Sequence, residues 1–117
     1  MIELTDELLA MPMYDWRCVP ITVNRHKWWL KMHRSGDDGN FLLCFESPKK
    51  RRYSYYTERG RNGRVRVIDA DITLANGKRI ASYWEAWGDG PERMDAVIRL
   101  TPKHILRKLS MLLDAIG

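Results

Sequence analysis

The chain has 117 residues, 44% of them hydrophobic and 30% charged, which suits one domain with a single core. Five Trp and five Tyr exclude disorder as a description of the whole chain. No apolar stretch approaches the roughly 20 residues of a membrane-spanning helix, and the N-terminus is acidic where a secretory signal would be basic. We therefore expect a single cytoplasmic domain over residues 1–117 that contacts no membrane.

The N-terminal part of the chain predicts one short helix followed by strands. A helix is expected over residues 6–11, with Thr5 as its N-cap and Pro12 ending it. Alternation of apolar and polar residues then predicts strands over 14–19 and 27–34.

The strand over residues 27–34 has two distinct faces. Trp28 and its alternate neighbours form an apolar face, while Trp29 lies on the other face between Lys27 and Lys31. If the first face is the core, two alternatives remain for Trp29. It is exposed between cations, which suits base stacking or a protein interface, or it lies beneath the C-terminal helix or another strand.

Turn residues divide the middle of the chain into further strands. These strands are predicted over residues 41–46, 52–59, 64–75 and 78–87. The last two flank Asn76-Gly77, a dipeptide that favours a two-residue type I′ hairpin because both central positions need positive φ.

The C-terminal part predicts a second helix. Residues 92–100 fit either a strand or a helical turn, but Thr101 is a good N-cap and Pro102 suits the first helical position. Apolar residues then recur at helical spacing, at Ile105, Leu106, Leu109, Leu112, Leu113 and Ile116. This stripe needs the sheet as a partner. Met111 broadens the apolar arc, so a homodimer interface is an alternative.

The predicted fold is therefore α+β. A short N-terminal helix precedes an antiparallel meander of five or six strands, which packs on a C-terminal amphipathic helix.

Motifs for metals, cofactors and catalysis are weak in this sequence. Cys18 and Cys44 lie in apolar stretches, so both are expected to be reduced core thiols. The histidines and cysteines lack zinc-site spacing, and no glycine-rich phosphate loop is present. We expect no cofactor, no metal and no enzymatic activity.

Three carboxylates raise the alternative of a metal-dependent nuclease. Pairing across Asn76-Gly77 places Asp71 opposite Ser82 and Asp69 opposite Trp84. The two aspartates then share one face while Glu85 points to the other, so the three cannot converge on a metal without a bulge.

The excess positive charge lies in one segment, residues 49–66. This segment holds eight Lys or Arg and one acid, giving +7 against +5 for the whole chain. It also contains three tyrosines. The candidate binding residues are Lys49, Lys50, Arg51, Arg52, Tyr53, Tyr55, Arg59, Arg61, Arg64 and Arg66, together with Lys27, Trp29 and Lys31. We expect one projecting cationic lobe whose tyrosines supply stacking contacts.

Such a lobe predicts a non-catalytic binding protein. Its partner is nucleic acid or the acidic surface of a protein that handles nucleic acid. The alternative is a phage-type inhibitor that docks on a host defence complex, in the manner of anti-CRISPR proteins; small size and the lack of catalytic motifs favour it.

Overall fold

The computed structural model describes residues 4–36 and 38–117 of the chain. These residues form, in chain order, α1 (Leu4–Leu9), β1 (Trp16–Val23), β2 (His26–Arg34), β3 (Phe41–Glu46), β4 (Arg52–Arg59), β5 (Val65–Thr73), β6 (Arg79–Trp84), a 3-10 turn (Glu85–Trp87), α2 (Pro91–Leu100) and α3 (Lys103–Ile116). The six strands form one antiparallel sheet in chain order, which confirms the predicted α+β meander.

The helices pack on one face of this sheet. Leu8, Val97 and Ile105 of the three helices join alternate strand residues such as Leu30 and Phe45 in one core. The molecule measures 38 × 35 × 22 Å. Its thin dimension holds one sheet and one helix layer, since each layer is about 10 Å thick. No helix of the described residues therefore covers the opposite face, which we call the open face.

Several predicted boundaries shift by a few residues. Thr5 lies inside α1 rather than capping it, and β1 extends through Pro20 to Val23. A proline is tolerated there because β1 is an edge strand, so one side of its backbone forms no ladder hydrogen bonds. Cys18 on this edge strand is exposed, whereas Cys44 is buried. The prediction of two core thiols is therefore wrong for Cys18.

The residues before α3 form a helix, α2, and this changes the role of Thr101. Its hydroxyl donates to the Val97 carbonyl (2.7 Å) and accepts a hydrogen bond from the Tyr55 hydroxyl (2.8 Å). Thr101 thus ends α2 instead of capping α3. Pro102 is the N-cap residue of α3, without a side-chain hydrogen bond to the helix. The predicted cap was wrong because the threonine hydroxyl is already engaged.

The hairpin at Asn76-Gly77 forms, but its turn type differs from the prediction. Gly77 has a φ of 86°, whereas Asn76 is not among the residues with positive φ. The Gly77 amide donates to the Leu74 carbonyl and the Leu74 amide donates to the Lys78 carbonyl, both at 2.9 Å. This is a three-residue loop, a type I turn followed by a left-handed glycine. The type I′ turn lies instead at Asn24-Arg25, where φ is 48° and 68°.

The predicted register of β5 and β6 is nevertheless right beyond the turn. Asp71 pairs with Ser82 and Asp69 with Trp84. A register shift between Ile72 and Thr73 adds one residue to β6 and compensates for the longer loop.

Candidate functional site

The basic segment 49–66 does not form a single lobe. The strand β4 runs through its middle, so the cations before β4 lie at one end of the sheet and those after it at the other. At about 3.3 Å per residue, Arg52 and Arg59 are about 23 Å apart. The prediction of one cationic lobe is therefore wrong.

At the end that holds the second half of this segment, two of the four arginines are paired with acids. Arg59 donates from Nε to Asp38 at 2.6 Å, and Arg66 forms a two-pronged pair with Glu85 at 2.5 and 2.8 Å. We call this the distal end. Arg61 and Arg64 are exposed there, and neither forms an ion pair within residues 4–36 and 38–117.

The opposite end gathers cations from three separate parts of the sequence. In an antiparallel meander every second turn lies at the same end, so the β1–β2, β3–β4 and β5–β6 hairpins meet there. We call residues 22–29, 46–53 and 73–80 the basic end. Its cations are Arg25, Lys27, Lys49, Lys50, Arg51, Arg52, Lys78 and Arg79. It therefore holds eight of the 20 Lys and Arg but one of the 15 acids, so it is net +7 and the rest of the chain is −2.

The one acid of the basic end is a buried carboxylate that holds cations in place. Glu46 is 4% exposed, and its Oε2 accepts hydrogen bonds from Lys31 Nζ at 3.0 Å and Arg52 Nε at 3.1 Å. Lys50 Nζ lies 3.6 Å from the other oxygen. Burial alone raises the pKa of Glu46, but the hydrogen bonds and charges of Lys31 and Arg52 together lower it below its ordinary value. Glu46 therefore stays ionised and orders three cations on the open face.

The β3–β4 turn has a lysine at the position where the β4–β5 and β5–β6 turns have glycine. Lys50 has a φ of 68°, and its amide donates to the Ser47 carbonyl at 2.9 Å. Gly63 and Gly77 occupy the same position in the other three-residue turns, with φ of 82° and 86°. A left-handed conformation costs a residue with a Cβ about 1–2 kcal/mol relative to glycine. The ion pair between the Lys50 ammonium and Glu46 opposes this cost.

A pair of variants separates this backbone strain from the charge. We expect Lys50→Gly to be more stable than Lys50→Ala by about 1 kcal/mol, because both lose the ammonium but only glycine relieves the strain. Urea unfolding of the two variants measures the difference. Equal stabilities would contradict the left-handed placement of Lys50.

Two of the three predicted aromatic contacts lie in the core. Tyr53 and Tyr55 are 4% and 2% exposed, because alternation along β4 turns both toward the helices. They therefore cannot offer free ring faces as stacking platforms on the surface, which corrects the predicted stacking role. Trp29 is half-buried on the open face, with Lys27 Nζ 4.4 Å from its ring centre. The alternative that placed Trp29 beneath the C-terminal helix is therefore wrong.

A cleft of about 430 Å³ opens at the basic end, between the hairpins and the start of α3. Its lining includes Trp28, Tyr53 and Pro102, and its polar residues include Lys49 and Arg51. Sequence reasoning missed Trp28 as a site residue, and it missed Arg25, His26, Lys78 and Arg79 altogether. The signal that could have found the last four was available, because a predicted meander already places alternate turns together.

Two of the three carboxylates behind the nuclease alternative, Asp71 and Glu85, take part in ion pairs. Asp71 lies 3.8 Å from Arg79, and Glu85 is the partner of Arg66. Burial raises the pKa of Asp71, and Arg79 offsets this only in part. Within the described part of the chain, no group of three or more His, Cys, Asp or Glu is placed to hold a metal ion.

No family model, curated protein or solved structure matches this chain. Within the described residues no helix has the length and apolar content needed to cross a bilayer. The function must therefore be argued from the residues of the chain itself.

Proposed function

We propose that the protein binds nucleic acid, without catalysis, through the basic end of its sheet. The observation that carries the proposal is the separation of charge: three hairpins concentrate +7 at one end, while two of the four arginines of residues 59–66 at the distal end are paired with acids. A phosphate backbone is the polyanion that such a field suits best, and guanidinium groups bind phosphate with two hydrogen bonds at once.

The contacts at the basic end extend onto the open face. Trp29, Glu46 and Arg52 lie side by side in register across β2, β3 and β4. Glu46 therefore lies between Arg52 and Trp29 and holds Arg52 on the same face as the indole ring. A strand of nucleic acid that crosses this edge meets a cation and an indole ring together.

The first test compares two double variants that remove the same charge from opposite ends. Lys49→Gln with Arg51→Gln removes two unpaired cations from the basic end. Arg61→Gln with Arg64→Gln removes two unpaired cations of the same sequence segment from the distal end. We expect the first pair to weaken binding of a labelled single-stranded oligonucleotide roughly ten- to thirtyfold near 0.1 M salt, and the second less than threefold. Fluorescence anisotropy measures both.

Salt dependence provides the control for this comparison. If the wild-type protein neutralises about four to six phosphates, the slope of log affinity against log salt is about −3 to −4 for a single strand. A flat salt response would reject nucleic-acid binding. Equal losses for the two double variants would reject the basic end as its location.

A protein surface is the second candidate partner. The observation in its favour is a group of exposed apolar residues beside the start of β1, where Met13, Tyr14 and Trp16 are 49%, 69% and 58% exposed. A phage-type inhibitor that docks on a host complex would use such a surface. Affinity capture with and without nuclease distinguishes the two, because a protein partner stays bound after nuclease treatment only if nucleic acid does not bridge it.

A further inference from the structure

The cleft at the basic end combines an apolar lining with two cations. Its volume of about 430 Å³ lies within the range of about 300–1,000 Å³ that is usual for ligand pockets. Trp28 and Tyr53 line the cleft and stack on each other, with ring centres 5.8 Å apart and planes inclined by 29°. They are 9% and 4% exposed, so only a small part of each ring faces the cleft. Leu74 and Pro102 add further apolar surface. A flat, uncharged ring system is the kind of group that such walls accept.

Two cations supply positive charge to the same cleft. Lys49 and Arg51 line it together with His26, and all three residues are exposed. Within residues 4–36 and 38–117, neither Lys49 nor Arg51 forms an ion pair. The backbone beneath them is fixed, since Ser47 Oγ accepts a hydrogen bond from the Arg51 amide at 3.0 Å. Among the described residues the backbone of the turn is thus held in place, while the two charges are not neutralised.

A nucleotide unit of a nucleic-acid strand joins a flat ring to an anion at close range, and so matches both features of the cleft. We propose that the cleft receives one unpaired nucleobase while Lys49 and Arg51 hold an adjacent phosphate. This inference rests on the proposed function and adds a selectivity to it. Bases inside a duplex are stacked and paired, so they cannot enter the cleft without first leaving the helix. The protein therefore prefers single strands to duplexes.

A cleft-filling variant tests the inference. Ala75 lines the cleft at the second position of the β5–β6 turn, where a type I turn accepts most residues. Ala75→Trp is expected to weaken binding to a single-stranded oligonucleotide about tenfold, the effect of losing one stacked base. Its affinity for a duplex with the same number of phosphates should change less than twofold. Ala86→Trp, an exposed position at the distal end, is the control and should change neither affinity.

A second measurement keeps the inference testable if Ala75→Trp fails to fold. The wild-type protein is titrated with a single strand that carries abasic sites in place of its bases, so that only the phosphates remain. We expect this strand to bind about tenfold more weakly than the normal strand. In a folded Ala75→Trp protein the two strands should bind alike.

The outcomes separate this inference from the proposed function. Equal wild-type affinity for normal and abasic strands, or equal losses on single strand and duplex in Ala75→Trp, would overturn the base-binding cleft while leaving phosphate binding at the basic end intact. Failure of the wild-type protein to bind any of these oligonucleotides would overturn both.

Discussion

Tyr55→Ala is expected to lower the free energy of unfolding by about 3–5 kcal/mol, because it empties a large site in the core. Tyr55 is 2% exposed, and its ring meets the edge of Phe45 with ring centres 6.1 Å apart. Its hydroxyl donates to Thr101 at 2.8 Å and so connects the sheet to the end of α2. Domains of this kind are stable by about 5–15 kcal/mol in total, so the variant should melt at a much lower temperature. Urea and thermal unfolding measure the loss.

Conservative variants distinguish a core role for Tyr55 from a binding role. Thr101→Val should cost about 1–3 kcal/mol, because it leaves the Tyr55 hydroxyl buried without a partner. Tyr55→Phe should cost less than about 1.5 kcal/mol, since Thr101 still donates to the Val97 carbonyl. Tyr55→Phe should also bind oligonucleotides like the wild-type protein. A loss of binding in a stable Tyr55→Phe protein would contradict the placement of this ring away from the ligand.

Glu46→Gln is expected to cost about 2 kcal/mol of stability at neutral pH while it strengthens oligonucleotide binding severalfold. The carboxylate is buried and accepts hydrogen bonds from Lys31 and Arg52, and a neutral amide replaces these charge-assisted bonds poorly. Removing the negative charge also raises the net charge of the basic end and frees the ammonium of Lys50. Stability and affinity should therefore move in opposite directions, which a general loss of folding would not produce.

The stability that Glu46 contributes should depend on pH in a definite direction. The folded-state pKa of Glu46 lies below its ordinary value of 4.5. A group of this kind contributes its full stability above the unfolded-state pKa and loses it as the pH falls through the folded-state pKa. The difference in stability between wild type and Glu46→Gln should therefore be constant above about pH 6 and shrink as the pH falls below 4.5. A difference that grew in acid would contradict the ionised, hydrogen-bonded state of Glu46.

Local patterns were sufficient to predict most elements of the fold. Period-two alternation predicted β1 and β2, and turn residues marked the limits of the other four strands. The stripe that ends at Ile116 predicted the C-terminal helix. Residues 92–100 were ambiguous because their apolar pattern is weak, and α2 forms there with Val97 as its buried contact. The predicted turn type at Asn76-Gly77 was wrong, because the loop has three residues instead of two. The predicted register was still right, because a bulge in β6 offsets the extra loop residue.

The sequence by itself determined which residues share a face of each strand, the total charge and the order of the strands. Alternation showed that Tyr53 and Tyr55 point the same way, but it could not show that the helices cover that face. Proximity in the sequence also implied one cationic lobe, because charges were counted along the chain. The tertiary structure decided their grouping, since a strand separates its two ends by its full length and a meander brings alternate turns together. Burial and long-range pairing are properties of the packed sheet, and for that reason the basic end and its cleft became visible only in three dimensions.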